Sequence, residues 1–203
     1  MKIKICGITQ EKEIPILNAL QIDYVGLVFA KSKRQIQKEK AKELMKKLDP
    51  IIQVVGVFMD QPLEEVLQIA SYCHLNIIQL HGKESPAYCS QLPYPIWKTM
   101  SIKEKQETEN LQERLNSLYA PYIQGIVLDG PKGGSGVPFP WHWVGEKIWN
   151  QPLILAGGLT SSNVKEAIHI VSPQVVDVSS GVEEQGLKSP RKIQQFVKEI
   201  RYG

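Results

Sequence analysis

Eight short apolar runs recur along the chain, and their regular return restricts the possible folds more than any other feature. They are Ile3–Cys6, Tyr24–Phe29, Ile52–Phe58, Asn76–Leu80, Ile96–Met100, Gly125–Asp129, Leu153–Ala156 and Val175–Ser179. Each is nearly continuous rather than strictly alternating, as expected of parallel strands covered on both faces. Helical patterns lie between them. Ala41, Leu44, Met45 and Leu48 stand at i, i+3, i+4, i+7. So do Leu63, Val66, Leu67 and Ala70; Val164, Ala167, Ile168 and Val171; and Ile193, Phe196, Val197 and Ile200. Each set forms one apolar stripe along a helix. Ser85–Pro86 and Ser189–Pro190 read as an N-cap followed by proline at the first helical position. Two segments are weaker. Pro15 interrupts the first helical candidate, and in the charged stretch 101–118 only Leu111, Leu115 and Leu118 offer a face.

Strand and helix thus alternate eight times, at about 25 residues per unit, which implies a parallel sheet with helices outside. With 203 residues the chain is at the compact limit for a closed (β/α)8 TIM barrel, the expected fold. An open doubly wound sheet is the alternative. No linker or shift in composition divides the sequence, so residues 1–203 are expected to form a single α/β domain.

Composition narrows the function classes. The chain is 42% hydrophobic and 22% charged, with a net charge of +3. That balance is too mild for a nucleic-acid binder, which would favour a strongly basic face. The lysines of 38–47 fit the solvated side of an amphipathic helix. Cys6, Cys73 and Cys89 are odd in number and widely spaced, unlike a disulfide framework or paired zinc ligands, so a reducing cytoplasm is expected. MKIKICGIT has no long apolar run or cleavage site, so no signal peptide is expected. No apolar stretch is long enough to span a bilayer, and no membrane partner is expected.

In a (β/α)8 barrel the active site lies at the C-terminal ends of the strands. Strand 1 delivers Cys6 and Gly7; strand 2 the cluster Lys31, Ser32, Lys33 and Arg34; strand 4 His81 and Gly82. Strand 6 delivers Asp129 and then Gly133-Gly134-Ser135-Gly136; strand 7 Gly157 and Gly158; strand 8 Ser179, Ser180 and Gly181. Glycines after strands 7 and 8 expose backbone N–H groups where this fold commonly holds phosphate; the plainer reading is two tight turns. Cys6 is either a general base, its thiol activated, or a small buried residue. Asp129, ending the run IVLD, is either a general acid raised in pKa by burial or a cap for the glycine turn. His81 forms a polar wall or a structural donor. A metal is not expected, because His74, His142 and His169 fall in helical segments and one histidine does not make a site. Cys73 and Cys89 are expected to pack in or near helices. The Lys31–Arg34 cluster is either a solvated loop or a pocket for an anion.

These segments together resemble phosphoribosylanthranilate isomerases of tryptophan biosynthesis. The resemblance runs through KICGIT (4–9), GLVFAKSKRQI (26–36), VGVFMD (55–60), IIQLHG (77–82), IVLDG (126–130), GGSGVPFPW (133–141), LILAGGL (153–159) and VDVSSGVE (176–183). It covers essentially the whole chain. The resemblance implies a cofactor-free aldose–ketose isomerase that performs an Amadori rearrangement on N-(5-phosphoribosyl)anthranilate. It implies Cys6 as general base, Asp129 as general acid and Arg34 as the contact for the anthranilate carboxylate. Asp177 and His81 would line the substrate, and Gly157, Gly158, Ser180 and Gly181 would hold the phosphate. Departures from the pattern are a single Ala30 before KSKR, where many members carry two residues; Gly130 after Asp129 in place of a common threonine; and Pro140 in place of an acidic residue before Trp141. The related isomerase of histidine biosynthesis would carry an aspartate at Cys6 and a second phosphate loop in the first half. A non-catalytic phosphate-binding barrel is the remaining alternative. A monomer or homodimer is expected.

Overall fold

The structure, a computed structural model, describes residues 1–131, 137–145 and 149–202. Gly133-Gly134-Ser135-Gly136 lies outside the described residues. Eight parallel strands form a closed barrel: β1 Lys2–Cys6, β2 Tyr24–Val28, β3 Gln53–Phe58, β4 Ile77–Leu80, β5 Ile96–Ser101, β6 Gly125–Asp129, β7 Leu153–Leu155 and β8 Val175–Val178. Pairing of β8 with β1 closes the ring and excludes the open-sheet alternative. Every strand lies within a residue of the apolar run that predicted it.

The runs are continuous because both faces are buried. Ile3, Ile5, Leu27, Phe58, Ile78, Leu80, Leu128 and Val176 point outward beneath the helices. Tyr24, Val55, Ile77, Trp97, Val127, Ile154 and Val175 point inward and fill the lower barrel, where Tyr24 and Trp97 meet edge to face at 5.0 Å. Side chains alternate along each strand, so the next inward positions toward the C-terminal end carry Lys4, Cys6, Gln79, Thr99, Asp129 and Asp177. The apolar lower layers seat the polar upper ones.

The helices are α1 Ile14–Ala19, α2 Lys38–Met45, α3 Leu63–Cys73, α4 Pro86–Cys89, α5 Gln106–Glu109, α6 Leu111–Arg114, α7 Val164–Val171 and α8 Pro190–Arg201. Ser85 Oγ accepts from the Tyr88 N–H, and Ser189 Oγ from that of Lys192, so both serines cap as expected. Pro15 does not interrupt α1. It lies in the first turn, where its missing N–H costs nothing. In the 101–118 segment Leu111 and Leu115 are buried, but Leu118 is 49% exposed, so the expected three-leucine face loses its last member. There the helix widens into a π-turn, Leu115–Tyr119, which rotates Leu118 outward. After β8 a two-stranded hairpin, β9 Glu183–Glu184 and β10 Leu187–Lys188, projects before α8. Its turn uses Gln185 and Gly186, both at positive φ.

Candidate active site

Cys6 ends β1 at the mouth of the barrel, and it is partly accessible, whereas Cys73 and Cys89 are buried. The place for its side chain is made by Gly26 on β2, where a Cβ would lie 2.6 Å from Cys6 Sγ. Beneath Cys6 a polar layer crosses the barrel. Lys4 Nζ donates to Asp177 Oδ2 at 2.6 Å and to Gln79 Oε1 at 2.9 Å. Gln79 Nε2 passes the chain on to Thr99 Oγ1 at 3.2 Å. Burial works against the Lys4 ammonium, but Asp177 and Cys6 hold its pKa above the ordinary value. Burial pushes the Cys6 thiol up, opposed most by Lys4 and then by Lys188, while Asp177 adds to the rise.

Asp129 closes β6 and is 5% exposed. Its Oδ1 accepts from the Gly130 N–H at 2.7 Å, and its Oδ2 lies 3.5 Å from His81 Nε2. The hydrogen bond to Gly130 is the capping contact expected of a carboxylate before a glycine turn, and it coexists with an oxygen facing the histidine. Burial raises the Asp129 pKa, partly offset by His81 and by the Gly130 N–H. Burial also lowers the His81 pKa, against the pull of Asp129. Both shifts move the balance toward a protonated carboxyl beside a neutral imidazole, the direction a general acid needs. The loop carrying His81 is fixed from behind by Lys98, which donates to Gly82 O at 2.7 Å and Glu84 Oε2 at 2.8 Å in a buried pair.

Of the positive cluster, Lys31 and Lys33 are exposed and Arg34 turns inward. The aliphatic arm of Arg34 lies over Gly7, where a Cβ would meet Arg34 Cδ at 2.4 Å. Its fork grips Glu183, with Nε to Oε1 at 2.7 Å and Nη2 to Oε2 at 3.0 Å. Lys188 Nζ joins the same carboxylate at 2.6 Å and also reaches Ser179 O and Oγ. Burial works against the Glu183 carboxylate, yet Arg34 and Lys188 bring its pKa down to about 2. Arg34 was expected to meet the anthranilate carboxylate; in the structure its two-pronged contact is with the internal carboxylate of Glu183.

The loops after β7 and β8 meet at the rim. Gly157 and Gly158 both have positive φ, at 81° and 68°. A Cβ at Gly157 would lie 2.6 Å from Asp129 Oδ1, and one at Gly181 only 1.8 Å from Leu159 O. Glycine is needed at both places to let the loops close on each other and on the acid. Gly157 and Gly158 follow β7, and Ser180 and Gly181 follow β8. Backbone N–H groups in glycine loops after two adjacent barrel strands suit an anion with several oxygens.

Residues 3–199 match the family model described as N-(5'phosphoribosyl)anthranilate (PRA) isomerase. The chain belongs to the PRA isomerase family. The N-(5'-phosphoribosyl)anthranilate isomerase of Thermoanaerobacter sp. (strain X514) is 42% identical, with 99% of this chain and 98% of the relative covered. The solved phosphoribosyl anthranilate isomerase of Thermotoga maritima superposes with a TM-score of 0.88 at 34% identity, covering 98% of each chain. A second solved PRA isomerase, in complex with reduced 1-(o-carboxyphenylamino)-1-deoxyribulose 5-phosphate, gives a TM-score of 0.84 at 33% identity, covering 98% of this chain and 97% of that one.

Against this PRA isomerase background, the sequence-derived site residues all come to one end of the barrel, but in distinct groups. Cys6 and Asp177 share the polar layer through Lys4. Asp129 and His81 form a second group, the two glycine loops a third, and Arg34 sits with the hairpin. Sequence reasoning missed Lys4, Gln79, Glu183 and Lys188. Lys4 carried a signal: a lysine between Ile3 and Ile5 shares the inward face with Cys6 two residues on. Glu183 and Lys188 carried none, because their pairing depends on a hairpin too short to announce itself.

Proposed function

We propose that this chain converts N-(5-phosphoribosyl)anthranilate to 1-(2-carboxyphenylamino)-1-deoxyribulose 5-phosphate, with residues 1–203 working as one barrel domain. What carries the assignment of roles is the pairing of a partly accessible thiol ending β1 with a buried, raised-pKa carboxyl ending β6. Asp129 gives its proton to the ribose ring oxygen. The C1′–O bond breaks as the anilino nitrogen lone pair forms the C=N bond of a protonated Schiff base. That iminium acidifies the C2′ hydrogen, and the Cys6 thiolate takes it. The C–H electron pair becomes the C1′=C2′ bond, nitrogen recovers its pair, and the enolamine tautomerises to the ketone. The substrate supplies its own electron sink, so acid and base are the groups the protein must provide.

The remaining roles follow the same geometry. Arg34 takes the anthranilate carboxylate with the edge of its fork not held by Glu183, as guanidinium geometry favours. Gly157, Gly158, Ser180 and Gly181 take the phosphate through their backbone donors. Asp177 and His81 line the sugar between these ends. The protein acts in the cytoplasm as a monomer or homodimer, a choice light scattering settles.

Turnover is followed by the loss of anthranilate-type fluorescence from freshly generated substrate. Cys6→Ala and Asp129→Asn should each lower kcat by about 100-fold or more while remaining folded by circular dichroism. Arg34→Ala should mainly raise KM. Turnover near that of the parent chain in either catalytic variant would sink the mechanism. Retention of the barrel with no turnover at all would move the search to other phosphorylated aminoaldoses.

A further inference from the structure

Lys4 is fully enclosed in the middle of β1, where an ammonium is costly unless its charge is used. Two of its three donors go to Asp177 Oδ2 at 2.6 Å and to Gln79 Oε1 at 2.9 Å, and Cys6 is the next inward residue of the same strand. Neutralising Asp177 would explain the first contact and leave the placing of a buried ammonium beneath Cys6 without a purpose. Lys4 and Cys6 are two residues apart on one strand, so the backbone itself fixes their approach.

We propose that Lys4 is a positioning residue for the base: its ammonium, pinned by Asp177 and Gln79, meets Cys6 from below and is the counter-charge of the thiolate. This rests on the reading of Cys6 as the general base. The other charged groups facing Cys6 are Asp177 on β8, Lys188 on β10 and Arg34 after β2. Asp177 opposes the thiolate. Lys188 and Arg34 favour it but are both committed to Glu183. Lys4 is the cation that shares the inward face of β1 with Cys6 and is not tied to Glu183, and its charge favours the thiolate most.

Iodoacetamide reports on the thiolate directly, because the sulfur displaces iodide to form a thioether. Cys73 and Cys89 are buried, so modification of the Cys6 peptide, measured by mass spectrometry across pH, isolates this one group. Lys4→Gln should slow alkylation at neutral pH by about tenfold, the equivalent of one pKa unit, and move the profile to higher pH. Its kcat/KM should fall by a similar factor. Lys4→Arg, which keeps the charge, should recover much of both. Lys4→Met should behave as Lys4→Gln; if it misfolds, the glutamine variant still offers Asp177 a donor and removes only the charge. The proposal is overturned if the folded Lys4→Gln profile coincides with that of the parent chain, or if Lys4→Arg lies no closer to the parent than Lys4→Gln does. Undiminished turnover in Cys6→Ala would overturn the catalytic half alone, since alkylation reads the Lys4–thiolate contact independently of activity.

Discussion

At the scale of single residues, the proposed acid and base start from ordinary pKa values in the inconvenient order. Burial raises both Asp129 and Cys6, and the thiol starts from the higher ordinary value. On the proposed roles the working form needs the proton on Asp129 and none on Cys6, against the order of the two ordinary values. Below the pKa of Asp129 both groups are protonated and Cys6 cannot act. Above the pKa of Cys6 both are ionised and Asp129 cannot act. kcat/KM should therefore trace a bell. Its acid limb should lie above 3.8, the ordinary aspartate value, and its alkaline limb above 9.0, the ordinary thiol value. A stopped-flow pH series checks this; an acid limb at or below the ordinary carboxylate value would contradict the burial of Asp129. Cys6 and Asp129 could be picked out as candidates from the sequence because each ends an apolar run at the C-terminal rim of the strands. Lys4 carried a fainter signal, the inward face it shares with Cys6, in a run that otherwise reads as a plain strand.

At the scale of elements, the β9–β10 hairpin acts as a clasp. Glu183 ties it to Arg34 on the loop after β2, and Lys188, its side chain 1% exposed, ties it to Ser179 at the end of β8. Two cations converge on one carboxylate, so removing that charge leaves both short of a partner. Glu183→Gln should cost about 1–3 kcal/mol, between an exposed pair and a fully buried one, because Glu183 and Arg34 keep partial exposure, measured by denaturant midpoint. It should also raise KM more than it lowers kcat, because Arg34 loses the contact that aims it. A folded Glu183→Gln protein with unchanged KM would refute the aiming role. The sign with pH follows from a folded pKa of about 2 against an ordinary 4.5. The clasp contributes fully above the ordinary value and is lost as pH falls through 4.5 toward 2. None of this was visible in the sequence, where Arg34 was matched to an external anion. Side chains 149 residues apart meet only because the barrel places β8 and β2 on either side of β1.

For the whole molecule, the sequence carried the architecture well because one rule generated it. A strand buried on both faces must be apolar throughout, and eight such runs with helical stripes between them have few ways to pack. What the pattern did not reveal was that Lys4, Gln79, Thr99 and Asp177 join in one hydrogen-bonded layer across the ring, since each sits among apolar neighbours in its own strand. A barrel built this way gives up stability at the rim where the proposed site lies. Asp129 is an acid whose folded pKa is raised above its ordinary 3.8. The folded state therefore holds its proton more tightly than the unfolded chain does, and it loses stability as pH rises through that window. Asn is nearly isosteric and can still accept from the Gly130 N–H, but it never ionises. Asp129→Asn should accordingly be inactive and more heat-stable than the parent at neutral pH, by about 2–4 °C for each kcal/mol relieved in a chain of this size. The gain should shrink as pH falls, and vanish below 3.8, where both proteins carry a neutral side chain. Differential scanning calorimetry between acid and neutral pH measures it. A melting difference that stayed constant with pH, or that favoured the parent chain at neutrality, would mean the carboxylate is better accommodated than its burial implies.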